Sequence, residues 1–178
     1  MGDLWRLADC IGLQVNGQES ITVRNCELRA SVPLCVAGGD NHHFENMDLG
    51  AANNPGLAEQ MNRDLPRTCV WIHGIPNQWS FTGYQTYQGG DHAFYGEVNS
   101  PRTGQVLRIE GLRYEQSLST KGTTPAIDLR FTNRAIERLV MVGCRWTTRD
   151  VGADITGTMG LETVGCHLSG SVTWRQRD

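Results

Sequence analysis

Ile21-Thr22-Val23-Arg24-Asn25-Cys26-Glu27-Leu28 is followed 21 positions later by His42-His43-Phe44-Glu45-Asn46-Met47-Asp48-Leu49. The same offset carries Leu13-Gln14-Val15 onto Leu34-Cys35-Val36. Short period-2 segments therefore recur in the same order within one unit of the chain, which is the signature of a repeat architecture. The eight-residue motif returns at Trp79–Thr86, Leu107–Tyr114, Leu139–Trp146 and Leu161–Leu168. Its fifth position is Asn25, Asn46, Gly83, Gly111, Gly143 and Gly165. Glycine, and after it asparagine, enters the left-handed region at the lowest steric cost, so each copy is read as two short strands meeting at a bend with positive φ.

Successive bends lie 21, 37, 28, 32 and 22 residues apart. The short spacings define a minimal rung of three strands, and the long ones are rungs with loop insertions. The third strand of each rung presents Leu13/Val15, Leu34/Val36, Val70/Ile72, Ile127/Leu129, Ala153/Ile155 and Val172/Trp174 to the interior. A weaker rung uses either Ala93/Tyr95 or Phe94/Gly96. Because strand order never reverses, the pattern predicts an all-β right-handed parallel β-helix of six to seven short rungs, the hand following the general preference of parallel crossovers. The largest insertion holds Asn54-Pro55-Gly56 ahead of Leu57 to Met61. An N-cap followed by proline at the first helical position predicts a short surface helix near 55–63.

Composition narrows the function classes. With 16 Lys+Arg against 19 Asp+Glu the net charge is −3, and there is no basic excess to bind nucleic acid. No segment reaches the 18 apolar residues of a membrane span, so no membrane insertion is expected, and the first residues lack the order of a signal peptide. The six cysteines form neither a C-x-x-C pair nor a Cys/His set with zinc spacing, and no cofactor is expected. Glycine at 21 of 178 residues points to dense turns.

The Asn/Gly-bend rung resembles the right-handed parallel β-helix of the pectin-lyase-like superfamily, over roughly residues 11–174. That group includes polysaccharide lyases, glycoside hydrolases and bacteriophage tailspikes. The resemblance is specific for fold and unspecific for activity. The Asn-Thr-Asp, Asp-Asp and Gly-His-Gly patterns of polygalacturonase-like members do not occur in this chain.

Equivalent residues on adjacent rungs stand about 4.8 Å apart. The inward column after the bend reads Cys26, Met47, Tyr84, Leu112, Cys144 and Cys166, which makes Cys144 and Cys166 stacked neighbours acting as small apolar residues. The outward column of the third strand reads Gln14, Cys35, Trp71, Phe94 in one of the two registers, Asp128 and Asp154, with Arg130 two residues along. Two stacked carboxylates cannot both ionise freely unless a cation or an arginine lies between them. Asp128 and Asp154 are therefore either a solvated ladder neutralised by Arg130 or an acid/base pair for glycoside cleavage. The resemblance adds a weak Ca²⁺ site at Asp128 and Asp154, with Arg130 as base; two carboxylates are few for a calcium shell. Trp71 and His73 are expected on the same exposed face, as a sugar platform or a subunit contact. Gly39-Asp40-Asn41-His42-His43 and Gly90-Asp91-His92 are polar loop clusters, and the repeat points His42 inward and His43 outward, so the two cannot chelate together.

Residues 1–10 are read as an N-terminal capping segment, 11–174 as one domain, and 175–178 as a tail. Six or seven rungs make a rod only about 30 Å tall, and each end needs a cap or a partner. Enzymes of the resembled superfamily are usually much longer, with deep loop walls. The expectation is therefore a non-enzymatic component of a bacteriophage virion surface, a tailspike or fibre segment or a capsid-decorating protein. It would be homotrimeric, in contact with other virion proteins and with a surface polysaccharide. The alternative is a polysaccharide lyase or glycoside hydrolase using Asp128, Asp154 and Arg130.

Overall fold

The computed structural model describes residues 11–17, 19–51, 65–99, 104–115, 124–132, 136–147 and 151–175. Every regular element among them is a β-strand. The first seven are β1 (Ile11–Val15), β2 (Thr22–Ala30), β3 (Val32–Val36), β4 (His43–Ala51), β5 (Thr68–Ile72), β6 (Trp79–Thr82) and β7 (Gln85–Gln88). Then come β8 (His92–Asn99), β9 (Gly104–Glu110), β10 (Leu112–Glu115), β11 (Ile127–Thr132) and β12 (Ile136–Val142). The last are β13 (Arg145–Thr147), β14 (Val151–Thr156), β15 (Thr158–Val164), β16 (His167–Leu168) and β17 (Ser171–Arg175). The predicted helix near 55–63 and the capping segment 1–10 lie outside the described residues, as does most of the 175–178 tail.

All pairings between these strands are parallel. One sheet has the order β1-β3-β5-β8-β11-β14-β17. The second, curled sheet has the order β15-β12-β9-β6-β4-β7-β10-β13-β16, with β2 on β4. The chain visits the two sheets in turn. The long strand β4 explains the curl: its first half pairs with β6 and its second half with β7, so one strand runs through a corner that later circuits split in two.

That corner is the bend column. Asn25, Asn46, Gly83, Gly111, Gly143 and Gly165 have φ of 51°, 52°, 75°, 69°, 61° and 61°. The asparagines add a side-chain ladder: Asn46 Nδ2 donates to Asn25 Oδ1 at 3.1 Å, and Asn46 Oδ1 accepts from the Tyr84 amide at 2.9 Å. A second corner escaped the sequence reading. Ser20, Asn41 and Gln78 also have positive φ (52°, 55° and 59°) without a glycine among them, beside the bridges Glu19–Asp40 and Asp40–Asn77. Asn77 Nδ2 donates to Asp40 Oδ1 at 2.7 Å there, so side-chain hydrogen bonds stabilise what the residue types disfavour.

The core lies between the sheets. Leu34, Val70, Phe94, Ile127 and Ala153 form one fully buried column, each in register with the next, and Phe44, Phe81, Ile109 and Met141 another. Register settles the ambiguous rung: Phe94 and Gly96 point inward, so Tyr95 and not Phe94 occupies the outward column. A second correction concerns Tyr84. After Gly83 the chain carries one extra residue, so Tyr84 is 58% exposed and Gln85 takes the inward place opposite Leu112. Gln85 is fully buried, yet its amide donates to the Phe44 and Thr82 carbonyls and accepts from the Tyr87 hydroxyl at 2.9 Å. A polar side chain is tolerated there because its bonding capacity is used.

Candidate functional site

The outer face of the seven-stranded sheet gathers the residues singled out in the sequence. Alternation along β5, β8, β11 and β14 turns Trp71, Tyr95, Asp128 and Asp154 outward, and the ladder sets them side by side. Cys35 precedes Trp71 in that column but is only 1% exposed, and burial raises its thiol to about 11. The next outward position holds Glu97 opposite Arg130, and Arg130 opposite Thr156. The face thus passes from an aromatic half to a charged half within four adjacent strands.

In the aromatic half, Trp71 and His73 have ring centroids 4.5 Å apart at 48°. Trp71 is half-buried and His73 is exposed. Tyr95 stacks against His92 at 5.3 Å, and its hydroxyl donates to Glu97 Oε2 at 3.4 Å. Desolvation, and then the Glu97 charge, push the Tyr95 phenol above its ordinary value, so it stays a neutral donor at physiological pH. Tyr95 and Glu97 were not singled out in the sequence, because only the pairing register separates the two ways of threading that strand.

The Asp128 carboxylate of the charged half is committed. Arg130 donates to both oxygens of Asp128, Nε to Oδ1 at 2.9 Å and Nη2 to Oδ2 at 2.8 Å. Asp128 itself is 3% exposed. This bidentate pair raises the Arg130 pKa further, the Asp128 hydrogen bond being the main cause, so Arg130 is a fixed cation and a poor base. Asp154 lies directly opposite Asp128 and has a looser ion pair, with Arg175 Nη2 3.9 Å from its Oδ1. Asp128 thus has an arginine bonded to it on its own strand, whereas Asp154 Oδ1 is buried without a hydrogen-bond partner, and Arg175 on the next strand approaches it only at ion-pair range. Among the described residues no group of three His, Cys, Asp or Glu is arranged to hold a metal ion.

The loop clusters serve the fold. His42 is fully buried, its Nε2 bonded to the Gly38 carbonyl at 2.8 Å and its ring stacked on Trp79 at 5.6 Å. His43 is exposed and bonds Ser80 Oγ at 2.7 Å. His92 Nδ1 donates to the Pro125 carbonyl at 2.6 Å, and Arg67 Nη1 is 3.6 Å from Asp91. Cys144 and Cys166 occupy equivalent positions on adjacent circuits as free thiols, each donating to a backbone carbonyl at 3.4 Å. No family model, curated protein or solved structure matches the chain.

Proposed function

We propose that the chain is a short right-handed parallel β-helix of the pectin-lyase-like kind. It serves as a non-enzymatic attachment or display component of a bacteriophage virion surface and holds glycan on the outer face of its seven-stranded sheet. One observation supports this reading: Trp71, His73 and Tyr95 line one stretch of the face at partial or full exposure, while the Asp128 carboxylate beside them is closed by Arg130. A sugar ring lays its C–H face on an indole or phenol ring, and its hydroxyls need donors and acceptors at the rim. Trp71 and Tyr95 supply the platform, and His73, Glu97 and Arg130 supply the rim. A sheet fixed on both sides by ladder bonds orders few groups on binding, which favours affinity. Catalysis by Asp128 would require breaking its Arg130 pair and exposing a buried carboxylate, which argues against the glycosidase alternative.

Binding of neutral and acidic surface polysaccharides to the full chain, followed by calorimetry, tests the reading. Binding is expected for at least one polysaccharide, weakened about tenfold or more in Trp71→Ala, with no release of reducing ends. Absence of binding across the panel contradicts it. Reducing-end release that is lost in Asp128→Asn and Asp154→Asn replaces it with the enzymatic reading.

A further inference from the structure

Just beyond the bend, the curled sheet turns one side chain of each circuit outward. That column reads Glu27, Asp48, Thr86, Arg113, Arg145 and His167, each in register with the next. Its acidic end is neutralised, because Arg29 Nη2 lies 3.2 Å from Glu27 and 3.0 Å from Asp48. Its basic end is not. Of the nine arginines among the described residues, seven stand within ion-pair distance of a carboxylate. The two that do not are Arg113 and Arg145, and they are direct neighbours.

Both are exposed, on strands flanked from each side: β10 lies between β7 and β13, and β13 between β10 and β16. Neighbours on adjacent strands stand about 4.8 Å apart, so the two positive charges repel each other at a cost to the fold. Glu115, two residues along β10, is also exposed, yet the Arg113 guanidinium lies over the Tyr84 ring, 5.3 Å from its centroid. Glu110, across the bend, is held by Arg108 at 2.9 Å. Tyr84 is the residue inserted after Gly83; its amide is fixed by Asn46 and its side chain is exposed. With a net charge of −3 over the chain, this is a local pair of cations and not the margin of a basic surface.

We infer that Arg113, Arg145 and Tyr84 form a binding site for a phosphate monoester carried on a sugar. Guanidinium groups present forked N–H donors that match the oxygens of a phosphate. A phosphate monoester brings about two negative charges near neutral pH, which two adjacent arginines neutralise together. The exposed Tyr84 ring offers the C–H face of the attached sugar a surface beside the phosphate. His167, next to Arg145 in the ladder, adds a ring nitrogen at the rim. The site lies on the other sheet from Trp71 and Tyr95 and does not rest on the reading of that face.

Calorimetry of the full chain with inorganic phosphate and with glucose 6-phosphate, at constant ionic strength, tests this. Both are expected to bind, the sugar phosphate more tightly, with affinity weakened about tenfold or more in Arg113→Gln and in Arg145→Gln. Tyr84→Ala should remove the preference for the sugar phosphate. Arg24→Gln, which takes one exposed charge from the same sheet, should change neither affinity. Thermal midpoints give a second readout, since phosphate should raise that of the unaltered chain. Arg145→Gln relieves the repulsion, so without phosphate its midpoint should equal or exceed that of the unaltered chain, and the rise with phosphate should vanish. Absence of binding by either probe, equal affinity for the two, equal losses in Arg24→Gln and Arg145→Gln, or a lowered midpoint for Arg145→Gln without phosphate would each overturn the inference.

Discussion

Gly157→Ala is expected to destabilise the chain by about 3 kcal/mol or more, a large share of the roughly 5–15 kcal/mol that holds a domain together. Gly157 joins β14 to β15 at φ 82° and donates its amide to the Arg175 carbonyl at 3.0 Å. A Cβ there would lie 1.7 Å from the Phe131 carbonyl oxygen and 2.6 Å from its carbon. Both are backbone atoms of β11, whose Phe131 side chain is packed at 1% exposure. No rotamer relieves that contact, so either the corner or the strand must move, at a cost added to about 1 kcal/mol for an alanine in the left-handed region. Gly143→Ala supplies the comparison, since Gly143 has φ 61° but nothing within 4 Å of its added Cβ. It should lose only that conformational contribution, and Gly143→Asn less, because asparagine fills the equivalent places at 25 and 46. Urea midpoints of the three variants measure the ranking. Equal midpoints for Gly157→Ala and Gly143→Ala would contradict the account of the corner.

Stability is expected to fall as pH rises past the ordinary thiol range, with reductant present throughout. Burial raises the Cys35 thiol to about 11 and the Cys69 and Cys144 thiols to about 12, from an ordinary value of 9.0. Burial also holds the Tyr87 and Tyr114 phenols above their usual 10.0. The sign follows from which state ionises first. In the unfolded chain these groups lose their protons near the ordinary values, whereas in the folded chain they keep them. The stability they contribute is therefore whole below about pH 9 and is lost as pH rises toward about 12. Inside that window each thiol lowers stability as pH rises, Cys35 up to about 11 and Cys69 and Cys144 up to about 12. Thermal midpoints from neutral pH to about pH 11 are the measurement, and Cys69→Ala with Cys144→Ala should flatten the decline. A midpoint that stays level across the alkaline half of that range would mean that these thiols are not held protonated by burial.

The bend column was legible in the sequence because a left-handed corner restricts residue type at one position, and that restriction recurs at Asn25, Asn46, Gly83, Gly111, Gly143 and Gly165. The corner at Ser20, Asn41 and Gln78 was not legible, since side-chain hydrogen bonds to neighbouring circuits support a conformation that the residue types do not announce. The inward place of Gln85 was missed for a related reason. One residue inserted after Gly83 shifts the face of everything that follows it, and a period-2 pattern read from the bend assigns the place to Tyr84 instead. On the candidate face, Trp71, His73, Asp128, Arg130 and Asp154 were named from the sequence, and the stacking of Asp128 on Asp154 followed from the repeat. Their roles did not follow. Whether a stacked acid is free or paired depends on where an arginine side chain lies, to within about an ångström.

By itself the sequence determined the all-β class, the recurring bend and the order in which apolar columns enter the core, because local sterics and alternation act within a few residues of each other. Only the tertiary structure decided which of Phe94 and Tyr95 faces out and that Asp128 is closed by Arg130. Those outcomes depend on pairing register and on contacts between residues of neighbouring strands, and neither is encoded in any single stretch of the chain.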